Sequence, residues 1–245
     1  MTENKFNIKD TILAVDINEA TQAVKENRFK DAIKLLEINL IEHPDHIDSL
    51  YLAGVCSRYL KEFDDAIKYI ESLLVHAPDM GRAYQELAHI NRDMGNEEKS
   101  ISNYRQACEL NPALISSWMS LYEYFKKNNN KPALDHATEQ INKLKSLPNM
   151  LLYIDQVMNE GRLGVAELKC REFLKKNPTH TYAMSQLSEI ANRLGHFDDA
   201  ELLLEKAVQF NPDDGELRMK YALVLRKKQK FAKTMEQVNI LCDKY

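Results

Sequence analysis

The residues Phe-Asp-Asp-Ala occur twice, at 63–66 and at 197–200, and adjacent carboxylates are the raw material of general acid/base pairs and of metal sites. Asp64 and Asp65, like Asp198 and Asp199, each open a helical pattern. Negative side chains there favour the unsatisfied backbone N–H groups and the positive end of the helix dipole. Neighbours on a helix also diverge by about 100°, so the two carboxylates do not converge on one substrate atom. The pairs are therefore expected to start helices. His43 and His46 flank a turn in "HPDH", and His76 ends a helical pattern, without acidic or Cys companions at ligand spacing. Cys56, Cys108, Cys170 and Cys242 are far apart, without a Cys-x-x-Cys, and read as small core residues. Phosphate loops, nucleophile elbows and H-E-x-x-H are absent from the sequence. No catalytic residue, cofactor or metal is expected.

Bulk properties narrow the partners. The formal net charge is −4, with 29% charged residues, which gives no global attraction for nucleic acid or an anionic membrane. The opening "MTENKFNIKD" is polar, and no run approaches the ~18 apolar residues of a membrane span, so a cytoplasmic location is expected. Seven glycines and seven prolines, with abundant Leu, Ala, Glu and Lys, favour helices.

Periodicity supplies the elements. The residue after the first charged turn of each second helix is Ala32, Ala66, Ser100, Leu134, Ala166, Ala200 and Thr234, at spacings of 34, 34, 34, 32, 34 and 34. Pro44, Pro78 and Pro112 keep the same frame, as do Pro178 and Pro212. Units beginning at Leu13, Ile47, Gly81, Ile115, Leu147, Thr181 and Gly215 each hold two helical patterns with apolar residues at i, i+3 or i+4, and i+7. Asn27, Gly95, Asn129, Gly161 and Gly195 sit at one equivalent turn position and tolerate the left-handed conformation. Gly54 or Ala88 facing Ala66 or Ser100 lets antiparallel helices approach closely. Phe29, Phe63, Phe197 and Phe231 are placed to plug the gaps between units. The two-residue deficit is expected at the end of the fourth unit, with Ser146 as N-cap and Pro148 early in the next helix; the alternative is a shortened turn near Pro132. This gives a 1–12 extension, units 1–4 over 13–146 and units 5–7 over 147–245.

The 34-residue unit, clearest in "WMSLYEYF", "YLAGVCSRYLKEFDDAIKYI" and "CELNP", resembles the tetratricopeptide repeat (TPR) over about residues 13–245. The resemblance implies an all-α, right-handed superhelical solenoid of about seven helix-turn-helix units, whose first helices line a concave groove. The first unit departs from the pattern at Asp16 and Glu19, which suits a solvent-facing cap. The family's chaperone-binding version uses a clamp of Lys and Asn residues. The matching places here hold Ile17, Thr21, Val55, Gln85 and His89, so chaperone docking is not implied. An asparagine ladder like that of sugar-transferase arrays is also absent, its places holding Asn18, Leu52, Glu86, Ser120, Leu152, Gln186 and Lys220.

Helical geometry puts Tyr51, Val55 and Arg58, then Gln85, His89 and Arg92, then Met119, Glu123 and Lys126 on the concave wall. Arg58, Arg92 and Lys126 would form a column able to receive an extended, acidic peptide through charge-assisted hydrogen bonds, or would simply be solvated. The expected function is a non-catalytic scaffold that binds a protein segment in this groove. The chain stops at Tyr245 without a polar capping helix, which predicts a weakly protected last helix or self-association through Met235, Val238 and Leu241. The alternative is the front of a larger enzyme, since residues 147–180 and 215–241 also look like TPR arrays that precede bacterial sulfotransferase domains.

Overall fold

The computed structural model describes the backbone of residues 8–244 and the side chains of residues 17–243. The described residues form fourteen α-helices and no strand. The chain divides into two compact units, Met1–Asn142 and Lys143–Tyr245. The first contains α1 (Ile8–Lys25), α2 (Phe29–Glu42), α3 (Ile47–Tyr59), α4 (Phe63–His76), α5 (Gly81–Asp93), α6 (Glu97–Leu110), α7 (Ile115–Lys127) and most of α8 (Lys131–Lys145). The second contains α9 (Asn149–Asn159), α10 (Leu163–Lys176), α11 (Thr181–Arg193), α12 (Phe197–Phe210), α13 (Gly215–Lys227) and α14 (Phe231–Lys244). The helix α1 begins at Ile8, inside the segment expected to be an extension; the side chains of Leu13 and Asp16 lie outside the described residues, and Glu19 is exposed.

The reversal inside every hairpin is made the same way. Asn27, Lys61, Gly95, Asn129, Gly161, Gly195 and Gln229 all have positive φ, between 53° and 82°. Periodicity found five of these; Lys61 and Gln229 take the same strained conformation because the hairpin requires it there. Between hairpins, three first helices are closed by side chains at one equivalent position. His46 Nδ1 accepts from Ser49 N at 3.2 Å, His180 Nδ1 from Ala183 N at 3.3 Å, and Asp214 Oδ1 from Leu217 N at 3.0 Å. His46 thus has a capping role in the local fold.

Packing is serial. One core cluster joins Leu50 of α3, Ala66, Ile70 and Leu73 of α4, and Ala83 and Ile90 of α5, so the α3–α4 hairpin supplies one wall of a core that α5 closes. In the second unit Leu151, Ile154 and Val157 of α9 meet Cys170 of α10 and Leu187 and Ile190 of α11. Each fully buried side chain of this kind is worth about 1.5–3 kcal/mol. Helices α3 and α4 touch at Gly54, where an added Cβ would stand 2.5 Å from Ile70 Cδ1 and 3.4 Å from the Ala66 carbonyl oxygen. Phe29 stacks on Tyr59 of the following hairpin at 4.6 Å between ring centres, whereas Phe231 is 62% exposed. Cys56, Cys108 and Cys170 are buried as expected; Cys242, near the end of α14, is exposed.

The two-residue deficit falls in α9. First helices α3, α5, α7, α11 and α13 have 13 residues each, and α9 has 11. Pro148 is the N-cap of α9 and not an early helical residue, with its carbonyl accepting from Leu151 N at 2.9 Å. Ser146 does not cap α9; its hydroxyl donates to the Lys143 carbonyl at 2.7 Å. Proline disfavours helical backbone at the residue before it, so Leu147 cannot start the helix and the first turn is lost.

Candidate functional site

Three polar helix faces of the first unit, on α3, α5 and α7, carry the residues expected along the groove. Tyr51 is half-buried with the Arg82 guanidinium 4.5 Å from its ring centre, and Val55 is half-buried beside it in sequence on α3. Gln85 Nε2 donates to Ser116 Oγ at 2.7 Å and to Ser117 Oγ at 2.8 Å, tying α5 to α7. Met119 is 48% exposed, Glu123 is exposed, and Lys126 lies 5.9 Å from the Tyr122 ring centre.

The expected cation column is not uniform. Arg58 is only 11% exposed, and its Nε donates to Glu86 Oε1 at 2.5 Å while Nη1 donates to Asp93 Oδ2 at 3.2 Å. It is a buried tie between α3 and α5, with its charge already met by two carboxylates. Burial pushes the Glu86 carboxyl up and Arg58 pulls it down. Arg92 remains exposed; it reaches Asp93 at 3.1 Å and donates from Nη1 to the Tyr104 hydroxyl at 3.3 Å. His89 Nδ1 lies 2.7 Å from that same hydroxyl. Burial, followed by Arg92 and Arg58, pushes His89 down to about 4, so its ring is neutral at pH 7 and pairs with the Tyr104 hydroxyl through Nδ1.

Beside this network a cavity of about 710 Å³ opens between α5, α6 and α7, walled by Tyr104, Tyr124 and Ile101, with Arg92, Glu123 and Lys127 around it. Periodicity missed Glu86, Asp93 and Tyr104 as members of the network. The usable signal is an acid 28 or 35 positions after an inward-facing arginine.

In the second unit the corresponding faces are held by Asp155 of α9. Its Oδ2 accepts from the Tyr182 hydroxyl at 2.5 Å and its Oδ1 from Gln186 Nε2, both on α11. Lys220 of α13 donates to Ser185 Oγ at 3.2 Å. Burial pushes Asp155 up to about 6 against the hydrogen bonds of Tyr182 and Gln186 and the charges of Lys220 and Lys143. Among the described residues no group of three or more His, Cys, Asp or Glu could hold a metal ion, and no helix is long and apolar enough to cross a membrane.

Serial helix hairpins with solvent-accessible first-helix faces define a repeat scaffold. Two tetratricopeptide repeat family models match, one at residues 17–80 and one at 81–114 and 182–214, and the chain belongs to the tetratricopeptide repeat family, whose arrays are protein-interaction scaffolds. It is 22% identical over 236 residues to a DnaJ homolog subfamily C member 7 homolog of Dictyostelium discoideum. The alignment takes in 93% of this chain and 39% of that relative's length. Among solved structures it resembles MamA, at 15% identity, with a TM-score of 0.46 and coverage of 83% of this chain and 94% of that one. It also resembles YrrB, described as a TPR protein with an unusual peptide-binding site, at 17% identity, a TM-score of 0.39 and coverage of 87% and 90%.

Proposed function

We propose that the first unit is a non-catalytic binding surface that receives an extended protein segment against α3, α5 and α7, with acidic side chains of that segment meeting Arg92 and Lys126. The observation that supports this reading is the juxtaposition of exposed Arg92, Met119 and Lys126 with the half-buried Tyr51 and Gln85 on successive first helices. Cations one unit apart, Arg92 and Lys126, and apolar groups two units apart, Tyr51 and Met119, suit an extended chain, whose side chains alternate along its length. Arg58 contributes rigidity, since Glu86 and Asp93 hold it.

The test is selection of a displayed random-peptide library on the purified chain, followed by binding measurements on Arg92→Glu/Lys126→Glu. Acid-containing peptides that bind the parent and lose about tenfold or more on the double variant support the reading. Peptides that bind both equally refute it.

A second reading rests on α14, where Phe231 and Met235 are 62% and 56% exposed and Val238 and Leu241 are half-buried. We propose self-association through this face. Sedimentation should show a dimer that Met235→Lys dissociates; a monomer at all concentrations refutes it.

A further inference from the structure

The cavity between α5, α6 and α7 has a charge arrangement that the cation column does not reveal. Four charged side chains border it: Arg92, Glu97, Glu123 and Lys127. Arg92 is held by Asp93 and by the Tyr104 hydroxyl. Lys127 Nζ stands 2.8 Å from Glu97 Oε1. Glu123 is exposed, lines the cavity and has no ion pair among the described residues. The neighbouring Arg58 adds no net charge to offset it, because Glu86 and Asp93 both engage that guanidinium.

The wall beside Glu123 is aromatic. Tyr104 is buried behind the cavity wall, with its hydroxyl occupied by His89 and Arg92, so it offers no free hydrogen-bonding group there. Tyr124 is half-buried and shares the lining with Ile101. A lone carboxylate beside an accessible tyrosine ring is a combination that attracts a cation with an apolar stem, because ring and carboxylate both favour the charge. An acidic side chain seated at Glu123 would instead meet a like charge.

We propose that this cavity is a subsite for a basic side chain, arginine or lysine, of the segment bound on the first unit, with its charge at Glu123 and its stem against Tyr124 and Ile101. The proposal rests on the reading of the first unit as a segment-binding surface and adds a cationic residue to what that segment must carry. Planar guanidinium suits the site better than ammonium, because it can stack on Tyr124 while pairing with the carboxylate.

The probe is a blocked glycine pentapeptide with arginine at its centre, compared with the same peptide carrying citrulline or glutamate, titrated into the isotope-labelled full chain. The expected result is resonance shifts at Tyr104, Ser120, Glu123 and Tyr124, with the arginine peptide binding about tenfold more tightly than the citrulline peptide. Glu123→Gln should abolish that preference and Glu123→Lys should reverse it in favour of glutamate. Glu123 is exposed, so neither variant threatens the fold. Equal binding of the arginine and citrulline peptides, or a preference untouched by Glu123→Gln, overturns the proposal. Should library selection yield no groove peptide while the arginine probe still binds here in a Glu123-dependent way, the subsite stands and the groove reading falls. A groove segment whose affinity ignores Glu123→Gln removes the subsite and leaves the groove.

Discussion

Arg58 and Asp93 are 35 positions apart in the chain, and their side chains meet at 3.2 Å. The same offset, one repeat plus one residue, joins Arg193 to the Met158 carbonyl at 3.2 Å, Lys220 to Ser185 at 3.2 Å and Lys227 to Asn192 at 3.0 Å. A long donor on one first helix thus reaches an acceptor on its neighbour. Many polar residues that periodicity points toward a binding groove are partly occupied in holding adjacent hairpins together.

The Arg58 tie predicts a stability defect. Removing one member of a buried pair leaves the other charged and unpaired, so Arg58→Ala should cost on the order of 3 kcal/mol. Adding Glu86→Leu should restore most of that loss, because the stranded carboxylate is gone. Urea unfolding of the parent, both single variants and the double variant reads the coupling; additive effects would show that the pair contributes nothing jointly.

Asp155 predicts a pH dependence with a definite sign. Its folded pKa, about 6, lies above the ordinary 3.8, so the protonated form is favoured in the fold. Its contribution to stability is complete below about pH 4 and is lost as pH rises through about 6, on the order of 2–3 kcal/mol at most. Asp155→Asn should flatten the stability profile between pH 4 and 7, with Tyr182 still donating to the amide oxygen and the Gln186 amide turned to accept. Thermal melts across that range check this; an unchanged slope in the variant assigns the dependence elsewhere.

Close approach at Gly54 predicts overpacking. Gly54→Ala would drive a methyl to 2.5 Å from Ile70 Cδ1, and Ile70 is fully buried and cannot swing away. The expected cost is about 1–3 kcal/mol. Ile70→Val removes the nearest atom, so the double variant should be more stable than the two single losses predict when summed. Denaturation midpoints decide it.

Left-handed backbone at Lys61 and Gln229 predicts gains. Lys61→Gly and Gln229→Gly should each stabilise by up to about 1 kcal/mol, the relief of strain being partly offset by added freedom in the unfolded chain. Loss of stability in both would mean that these side chains make compensating contacts.

The hairpin repeat was legible because most units solve the same packing problem with the same residue types: small at the crossing, apolar at 3.6-residue intervals, and Gly or Asn at the positive-φ turn, with Leu134 at one crossing and Lys61 and Gln229 at two turns as departures. Two features escaped the sequence. The count gave a missing pair of residues, but its assignment to α9 depended on Pro148 acting as a cap. Arg58 was recognisable as inward-facing, yet its pairing with Glu86 and Asp93 depends on the stagger between α3 and α5, a three-dimensional quantity that periodicity does not contain.

The shortened α9 has a consequence of scale. At about 1.5 Å per residue, eleven residues span roughly 3 Å less than the thirteen of its counterparts. A segment laid along α9 therefore meets about half a helical turn less surface than one laid along α11 or α13 of the same unit.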